Sequence, residues 1–259
     1  MTTPPPIAVR GLTMAYGNRV IQRDLTFTVR RGETFIIMGG SGCGKSTLLR
    51  HLIGLQAPAA GTVLRDGQDF WALSDAARDR IKRNSGILYQ TGALWSSMTL
   101  AENIALPLHQ FTRLKPAEIR DLCAFKLALV GLAGCDHLYP SEISGGMRKR
   151  AALARALALD PEMLFFDEPS AGLDPISSRR MVDLIIELRE SLSATIVVIT
   201  HELASIFAIG TDSIFLDGET RTIIAQGNPK DLLNPTSPLR VRQFLTRGGT
   251  SPERGDHVP

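Results

Sequence analysis

A glycine-rich stretch that ends in lysine and serine is the part of this sequence best suited to chemistry. Residues 39–46 read Gly-Gly-Ser-Gly-Cys-Gly-Lys-Ser and fit the pattern G-x-x-x-x-G-K-[ST] at every fixed position. Glycines at this spacing let backbone N–H groups turn toward one anion. In such a loop Lys45 reaches the β- and γ-phosphates of a nucleotide, and the Ser46 hydroxyl ligates Mg²⁺. The stretch therefore predicts a site for a nucleoside triphosphate.

The residues on either side of this stretch favour that prediction over a chance glycine-rich turn. The apolar run at residues 34–38 is typical of a buried strand, and residues 46–53 have the pattern of a helix. A helix that starts at the loop directs the positive end of its dipole toward bound phosphates. The strand–loop–helix order thus indicates a nucleotide site rather than a turn with an accidental lysine.

Two adjacent carboxylates, Asp167 and Glu168, follow another apolar strand pattern at residues 163–166. The carboxyl end of a parallel strand is where such sheets bind ligands. We expect Asp167 to hold the Mg²⁺ that Ser46 also contacts, and Glu168 to polarise the attacking water as a general base. The alternative is a carboxylate pair that caps the next helix.

Two single side chains follow further strand patterns. His201 comes after the run at residues 195–200, and its imidazole could hydrogen-bond the γ-phosphate. Gln90 comes after the run at residues 86–89, and its amide could meet the Mg²⁺ or the nucleophilic water. Taken alone, each has a plain alternative, a structural histidine and a surface glutamine.

A serine and two glycines, Ser144-Gly145-Gly146, open a helical pattern that continues to Leu157. Ser144 is a plausible N-cap, and two glycines at a helix start make a second N-terminus that could face an anion. Because the chain has one glycine-rich phosphate loop (P-loop), at residues 39–46, this second phosphate site needs an explanation.

Length and composition predict one large domain or two intimate subdomains around a full core. The chain has 259 residues, of which 44% are hydrophobic and 21% charged. The formal net charge of +3 does not suggest a nucleic-acid coat. The three cysteines lack metal-ligand spacing and fit a reducing compartment. No run of about 18 apolar residues is free of charge, so we expect no membrane span.

The strand patterns are interrupted in the middle of the chain. Between about residues 92 and 158, alanine, leucine and charged residues recur at helical spacing, with Pro107 and Pro116 as expected breakers. We interpret this stretch as a helical insert in an α/β core, because buried parallel strand patterns return after it.

These motifs, in this order, resemble the ATPase subunit of ABC transporters. The resemblance identifies Tyr16 as the residue that stacks on adenine, Gln90 as the Q-loop, Ser144-Gly145-Gly146 as the signature, residues 171–174 as the D-loop and His201 as the switch histidine. It covers about residues 7–235. It leaves residues 1–6 as a flexible lead and 236–259 as a tail, in which we predict a short helix at 239–245 followed by disorder.

The resemblance implies an α/β fold: a P-loop NTPase (RecA-like) core with an antiparallel β subdomain and an inserted α-helical subdomain. It also implies a head-to-tail homodimer, in which each signature helix faces the ATP held by the partner's P-loop. The implied cofactors are ATP and Mg²⁺. The implied catalytic residues are Glu168, His201 and Gln90, and the metal ligands are Ser46, Gln90 and Asp167. The implied nucleotide contacts are Tyr16, Gly39, Gly40, Ser41, Gly42, Cys43, Gly44, Lys45, Ser46, Thr47, Ser144, Gly145, Gly146 and Asp174.

A narrower resemblance comes from Met147 in place of the usual glutamine, from the segment after Gln90, and from Val241-Arg242-Gln243-Phe244-Leu245 in the tail. These residues are similar to the ATPases of Mla-type phospholipid transporters. That resemblance implies phospholipid traffic between inner and outer membranes. It also implies a peripheral location on the cytoplasmic face of the inner membrane. The implied partners are an integral membrane permease, a small STAS-domain protein and a periplasmic MCE-domain protein, with no nucleic acid.

Three alternatives stay open at this stage: the ATPase of another ABC system such as an amino-acid importer, a soluble ABC ATPase that acts on DNA or ribosomes, and a nucleotide-binding scaffold that does not hydrolyse. A separate question concerns Trp95. Either it packs inside the helical insert, or it lies beside a groove that receives a cytoplasmic helix of the permease.

Overall fold

The computed structural model describes residues 3–247, which form two β-sheets and eight α-helices. The strands are β1 (Ile7–Tyr16), β2 (Arg19–Val29), β3 (Thr34–Gly39), β4 (Ala60–Arg65), β5 (Gln68–Asp69), β6 (Ser85–Leu88), β7 (Met163–Asp167), β8 (Thr195–Ile199), β9 (Asp212–Asp217) and β10 (Thr222–Gln226). The helices are α1 (Lys45–Leu52), α2 (Asp75–Arg83), α3 (Leu100–Phe111), α4 (Pro116–Leu129), α5 (Gly145–Ala156), α6 (Pro175–Leu192), α7 (Leu203–Ile209) and α8 (Leu239–Leu245).

The smaller sheet is antiparallel, with the strand order β2-β1-β4-β5. Strands β1 and β2 form a hairpin in which Tyr16 pairs with Arg19 across the Gly17-Asn18 turn. Gly17 has a φ of 55°, which favours glycine at a hairpin turn. This hairpin places Tyr16 at the end of β1.

The larger sheet has the order β10-β9-β3-β8-β7-β6, and its neighbours are parallel except for the edge pair β10–β9. All residues of β3 and β8 are buried, which explains their continuous apolar patterns. Because the parallel strands share one direction, the segments after β3, β6, β7 and β8 meet at one edge of the sheet. That edge carries the predicted site.

The six-stranded sheet separates two apolar cores. One core lies between this sheet, α1 and the antiparallel sheet, and includes Phe35, Ile37 and Leu48. The other joins the opposite face of the sheet to the helices, and includes Leu88 and Phe166. Alternate residues of β3 therefore face different cores, as the pleat of a strand requires.

Helices α3, α4 and α5 occupy the stretch in which a helical insert is predicted. Thr99 and Glu102 form a capping box at the start of α3. Pro116 lies in the first turn of α4, where its missing N–H costs little. The prediction that Pro107 breaks a helix is wrong, because α3 continues through it to Phe111. A single missing hydrogen bond is tolerated here because neighbouring residues Ile104 and Leu108 are buried in the core.

The two ends of the described range are attached to the domain. Pro6, predicted to belong to a flexible lead, is buried, and its carbonyl accepts a hydrogen bond from the N–H of Asp66 at 3.2 Å. The helix predicted at 239–245 is α8, whose Phe244 ring meets Phe215 edge-on at 5.2 Å. Disorder is predicted for residues 247–259, and all of these except Arg247 lie outside the described residues. Within residues 3–247, every helix is too short or too polar to cross a bilayer.

Candidate nucleotide-binding and catalytic site

The glycine-rich loop joins β3 to α1, and its backbone requires glycine at particular positions. Gly39 has a φ of 147° and Gly44 a φ of 103°, both in the region that side chains disfavour. A Cβ on Gly44 would lie 2.7 Å from Cγ2 of Ile21. The loop is also held from outside, because Nε2 of the buried Gln22 donates to the carbonyl of Cys43 at 2.7 Å.

Lys45 lies across this loop, and its Nζ donates to the carbonyls of Gly39 and Gly40, both at 2.9 Å. An ammonium in this position faces the space that the loop encloses. A cavity of about 330 Å³ opens there. It is lined by Ile21, Ser41, Gly42, Gly44, Lys45, Ser46, Thr47, Gln90, Asp167, Glu168 and Ile199. The structure thus brings together most residues that the sequence assigns to one nucleotide and its metal ion.

The oxygen ligands expected for Mg²⁺ lie on this cavity. Burial raises the pKa of Asp167, and the charge of Glu168 adds to the rise, while a hydrogen bond with Ser46 and the charges of Lys45 and Arg50 oppose it. A half-buried carboxylate beside a hydroxyl and an amide is a donor set that a hard divalent cation prefers. Ser46, Gln90 and Asp167 therefore fit Mg²⁺.

Glu168 and His201 form a pair at the edge of the cavity. Nδ1 of His201 lies 2.8 Å from Oε1 of Glu168. The Glu168 side chain is 13% exposed and that of His201 is 65% exposed. Glu168 has a φ of 53°, unusual for a residue with a side chain, and its N–H donates to the carbonyl of Ile199 at 2.8 Å. The backbone thus turns this carboxylate toward the cavity and the histidine.

Tyr16 lies near the loop with an exposed ring. It is 46% exposed, and its hydroxyl accepts a hydrogen bond from Nη1 of Arg50 at 3.2 Å. Hydrogen bonding with Thr47 is the main cause that lowers the pKa of Tyr16. An exposed aromatic face beside Thr47 is placed to stack on a base whose phosphates occupy the loop. Sequence reasoning missed Arg50. Its only signal in the sequence is that it is a basic residue in the last turn of α1.

The signature residues do not line the P-loop cavity of their own chain. Ser144 caps α5, its Oγ accepting from the N–H of Met147 at 3.2 Å. Gly145 and Gly146 form the first turn of α5, and a Cβ on Gly146 would lie 2.8 Å from Oγ of Ser177. Asp174 caps α6 in the same region, accepting from the N–H groups of two residues at 3.0 Å.

Two further residues near the site had no predicted role. Lys149 on α5 is only 6% exposed, although it lies in a basic run that is typical of a solvated helix face. Glu202 accepts hydrogen bonds from the hydroxyls of Ser170, Ser178 and Ser205. Only its position next to His201 could have indicated Glu202.

Trp95 is 61% exposed, so the interpretation that packs it inside the helical insert is wrong. It lines a groove of about 410 Å³ that runs from α2 to α3 and α5. The groove has apolar walls from Trp95, Leu106 and Phe111, with Lys82, Arg83, Arg155 and Asp79 as its charged residues.

Comparison with known proteins assigns the family. Residues 22–171 match the family model described as ABC transporter. The chain is 41% identical over 248 residues to the intermembrane phospholipid transport system ATP-binding protein MlaF of Haemophilus influenzae, covering 96% of this chain and 93% of that protein. It is also 41% identical over 239 residues to the probable ribonucleotide transport ATP-binding protein mkl of Mycobacterium tuberculosis, covering 92% of this chain. The chain spans only 66% of the length of mkl.

Solved structures agree with this assignment. A dimeric post-hydrolysis state of the ATP-binding cassette MJ0796, bound to ADP and Pi, aligns with a TM-score of 0.77 and 28% identity. The alignment covers 86% of this chain and 98% of the cassette. The order of the motifs, the cavity that they line and these matches show that the chain belongs to the ABC transporter family, as its ATP-binding cassette.

Proposed function

We propose that this chain hydrolyses ATP and thereby drives a membrane transporter. The observation that carries the proposal is the Glu168–His201 pair, 2.8 Å apart, in which Glu168 lines the same cavity as Lys45, Ser46 and Asp167. The loop N–H groups and Lys45 bind the phosphates, and Ser46, Gln90 and Asp167 hold Mg²⁺. When bound, the metal ion offsets the negative charge that develops on the phosphate oxygens.

The chain's own residues act on the attacking water. Glu168 accepts a proton from it as the water oxygen bonds to the γ-phosphorus and the bond to the bridging oxygen of ADP breaks. His201 holds the Glu168 carboxylate through Nδ1 and would hydrogen-bond the γ-phosphate. The products are ADP and inorganic phosphate.

Glu168→Gln tests this assignment. The amide keeps the shape of the side chain but cannot accept the proton, so turnover should fall by about 10²–10⁴-fold while ATP binding is retained. Steady-state phosphate release and binding of a fluorescent ATP analogue measure the two effects. Hydrolysis at the wild-type rate would remove Glu168 as the general base.

The working unit that we propose is a head-to-tail homodimer with two composite sites. The signature residues Ser144, Gly145 and Gly146 lie outside the P-loop cavity of their own chain. The contact between a signature helix and the ATP in that cavity must therefore come from the partner. Asp174 lies in the same region and would complete the partner's site. The dimeric form of the MJ0796 cassette bound to ADP and Pi supports this arrangement.

The proposed cargo is phospholipid, carried between the inner and outer membranes to maintain lipid asymmetry. MlaF, named for intermembrane phospholipid transport, matches along 93% of its length, whereas mkl matches along 66%. Reconstitution of the purified transporter decides between the two named substrates. Transfer of labelled phospholipid, with no uptake of ribonucleotide, is the expected result, and ATP-dependent ribonucleotide uptake would contradict it.

We place the chain on the cytoplasmic face of the inner membrane, bound to an integral permease. A small STAS-domain protein and a periplasmic MCE-domain protein would complete the complex. The proposed ATP-binding domain is residues 7–235, with its helical subdomain at about 92–158. Residues 236–259 form the tail.

The groove beside Trp95 is the proposed permease contact. Its apolar walls suit an amphipathic helix, and three basic residues against one acidic residue favour a helix that carries a carboxylate. Trp95→Ala should leave the isolated chain folded, because the ring is mostly exposed, and should weaken co-purification with the permease. Unchanged co-purification would exclude this groove.

A further inference from the structure

Lys149 is a buried cation between α5 and the turn that carries Glu168. Its Nζ donates to the carbonyl of Glu168 at 2.9 Å and to the carbonyl of Ala171 at 2.6 Å. The N–H of Ala171 also donates to the carbonyl of Glu168 at 3.2 Å, which closes a turn over residues 168–171. One ammonium therefore holds the carbonyls at both ends of this turn.

The same turn is fixed by two other elements. The N–H of Glu168 donates to Ile199 at the end of β8, and the Ser170 hydroxyl donates to Glu202. Glu202 accepts further bonds from Ser178 on α6, at 2.9 Å, and from Ser205 on α7, at 2.6 Å. The left-handed backbone at Glu168 persists only where its surroundings hold it in place. The Lys149 ammonium is the part of those surroundings that α5 contributes.

Helix α5 also begins with the residues that would contact the partner's ATP. Lys149 lies five residues after Ser144, a rise of about 7.5 Å along the helix. Gly146, in the first turn, packs closely against Ser177 at the start of α6. A displacement of α5 by the partner's nucleotide would therefore move the Lys149 ammonium and the carbonyls that it holds.

We propose that Lys149 is a positioning residue that couples the signature helix of one chain to the general base of the same chain. This inference rests on the proposed function, in which Glu168 and Ser144 of one chain serve different composite sites. Once α5 contacts the ATP bound to the partner's P-loop, Lys149 aligns the Glu168 carboxylate with the ATP bound to the P-loop of its own chain. Removing the ammonium takes a donor away from two backbone carbonyls and so costs some stability, and the test therefore has to separate loss of turnover from loss of stability.

The test compares Lys149→Met and Lys149→Arg in the full chain, with Lys126→Met as the matched control. Lys126 is also a buried lysine, 2% exposed, but it lies on α4 and pairs with Asp160 at the surface. Lys149→Met should lower kcat by about 10–100-fold, with KM and the Kd for ATP within about twofold and only a modest fall in Tm, because two backbone carbonyls lose a donor. Lys149→Arg, which keeps donors and charge, should recover most of the turnover. Lys126→Met should leave kcat unchanged.

Mixed dimers separate coupling from general damage to α5. One chain carries Glu168→Gln, so that it binds ATP without hydrolysing it, and the partner supplies the working Glu168. Lys149→Met should abolish most turnover when it lies in the chain with the working Glu168. It should have little effect when it lies in the Glu168→Gln chain. Equal losses in both arrangements would show a structural role of α5 and overturn the proposal.

The two proposals fail in different ways. If the Glu168→Gln homodimer hydrolyses ATP at the wild-type rate, the proposed general base is wrong. If that homodimer is inactive and Lys149→Met has wild-type kcat, only the coupling role is wrong. Should Lys149→Met lower Tm substantially, Lys149→Gln replaces it in the mixed dimers, because glutamine keeps a hydrogen-bond donor while losing the charge.

Discussion

Asn103 closes the loop that presents Trp95 to the proposed permease groove. Its side chain is fully buried in the first turns of α3. Oδ1 accepts from the N–H of Trp95 at 2.8 Å, and Nδ2 lies 3.1, 3.2 and 2.9 Å from the carbonyls of Trp95, Met98 and Thr99. One amide thus holds the loop at several points.

Replacing Asn103 by alanine should destabilise the protein by about 2–4 kcal/mol. Each neutral hydrogen bond contributes about 0.5–1.5 kcal/mol, and each buried group left without a partner costs about 1–3 kcal/mol. Asn103→Asp keeps the size and the acceptor oxygen, but it directs a charged carboxylate at three carbonyls. We therefore expect the aspartate variant to be at least as unstable as the alanine variant at pH 7.

The pH dependence of the aspartate variant provides a second check. A protonated carboxyl can again donate to a carbonyl, so its pKa in the folded state should lie above that in the unfolded state. The deficit in unfolding free energy relative to wild type should then shrink as the pH falls toward 4. Such recovery should be absent from Asn103→Ala.

Urea unfolding of the isolated chain measures these free energies. Asn18, exposed in the β1–β2 turn, supplies the control, and Asn18→Ala should change stability by less than about 0.5 kcal/mol. The Asn103 variants should also bind the permease less well, because the loop that carries Trp95 loses its anchor. An aspartate variant as stable as wild type at pH 7 would refute the reasoning.

Three further predictions concern the nucleotide, the dimer and acid stability. Stacking on adenine should contribute about 0.5–1.5 kcal/mol, so Tyr16→Ala should weaken ATP binding severalfold while Tyr16→Phe stays near wild type; equal losses in equilibrium binding would point to the hydroxyl instead. Ser144→Arg should abolish hydrolysis but not ATP binding, and mixing it with Lys45→Ala chains should restore some phosphate release, since one composite site then keeps both elements. No restoration would argue against independent head-to-tail sites. Hydrogen bonding by the Thr220 N–H, with help from an arginine of α8, lowers the pKa of Asp217 to about 2. A lowered pKa stabilises the fold above about pH 4, and that contribution is lost as the pH falls from 4 toward 2. Asp217→Asn should therefore remove about 1–2 kcal/mol at pH 7 but little at pH 2 in denaturant titrations, and equal losses at both pH values would contradict this origin.

Sequence reasoning worked well where the signal is local. The parallel strands are apolar on both faces, and the glycine-rich loop between β3 and α1 carries its backbone requirements in its residue types. The helix predicted at 239–245 has the bounds of α8. In each case one short segment contains both the pattern and the physical reason for the structure.

Where the signal depends on distant packing, the same reasoning failed. Pro107 is a breaker in an isolated helix, yet core residues on both sides keep α3 intact. Trp95 is large and apolar, and burial was an equally reasonable interpretation until the structure showed it on the wall of a groove. Neither outcome can be obtained from neighbouring residues alone.

The residues that hold the site in place explain this difference. Gln22 reaches Cys43 and Asp217, the second of these 195 residues away, and Lys149 reaches Ala171, 22 residues away. Glutamine and lysine are ordinary surface residues, so their types predict exposure, and only the fold makes them buried donors to backbone carbonyls. The groups that act on a nucleotide can be identified from a motif because their chemistry fixes their type and spacing. The groups that position them need only be donors at the right distance, and many sequences can supply such a donor. Their roles therefore have to be tested one by one, with variants that keep the fold.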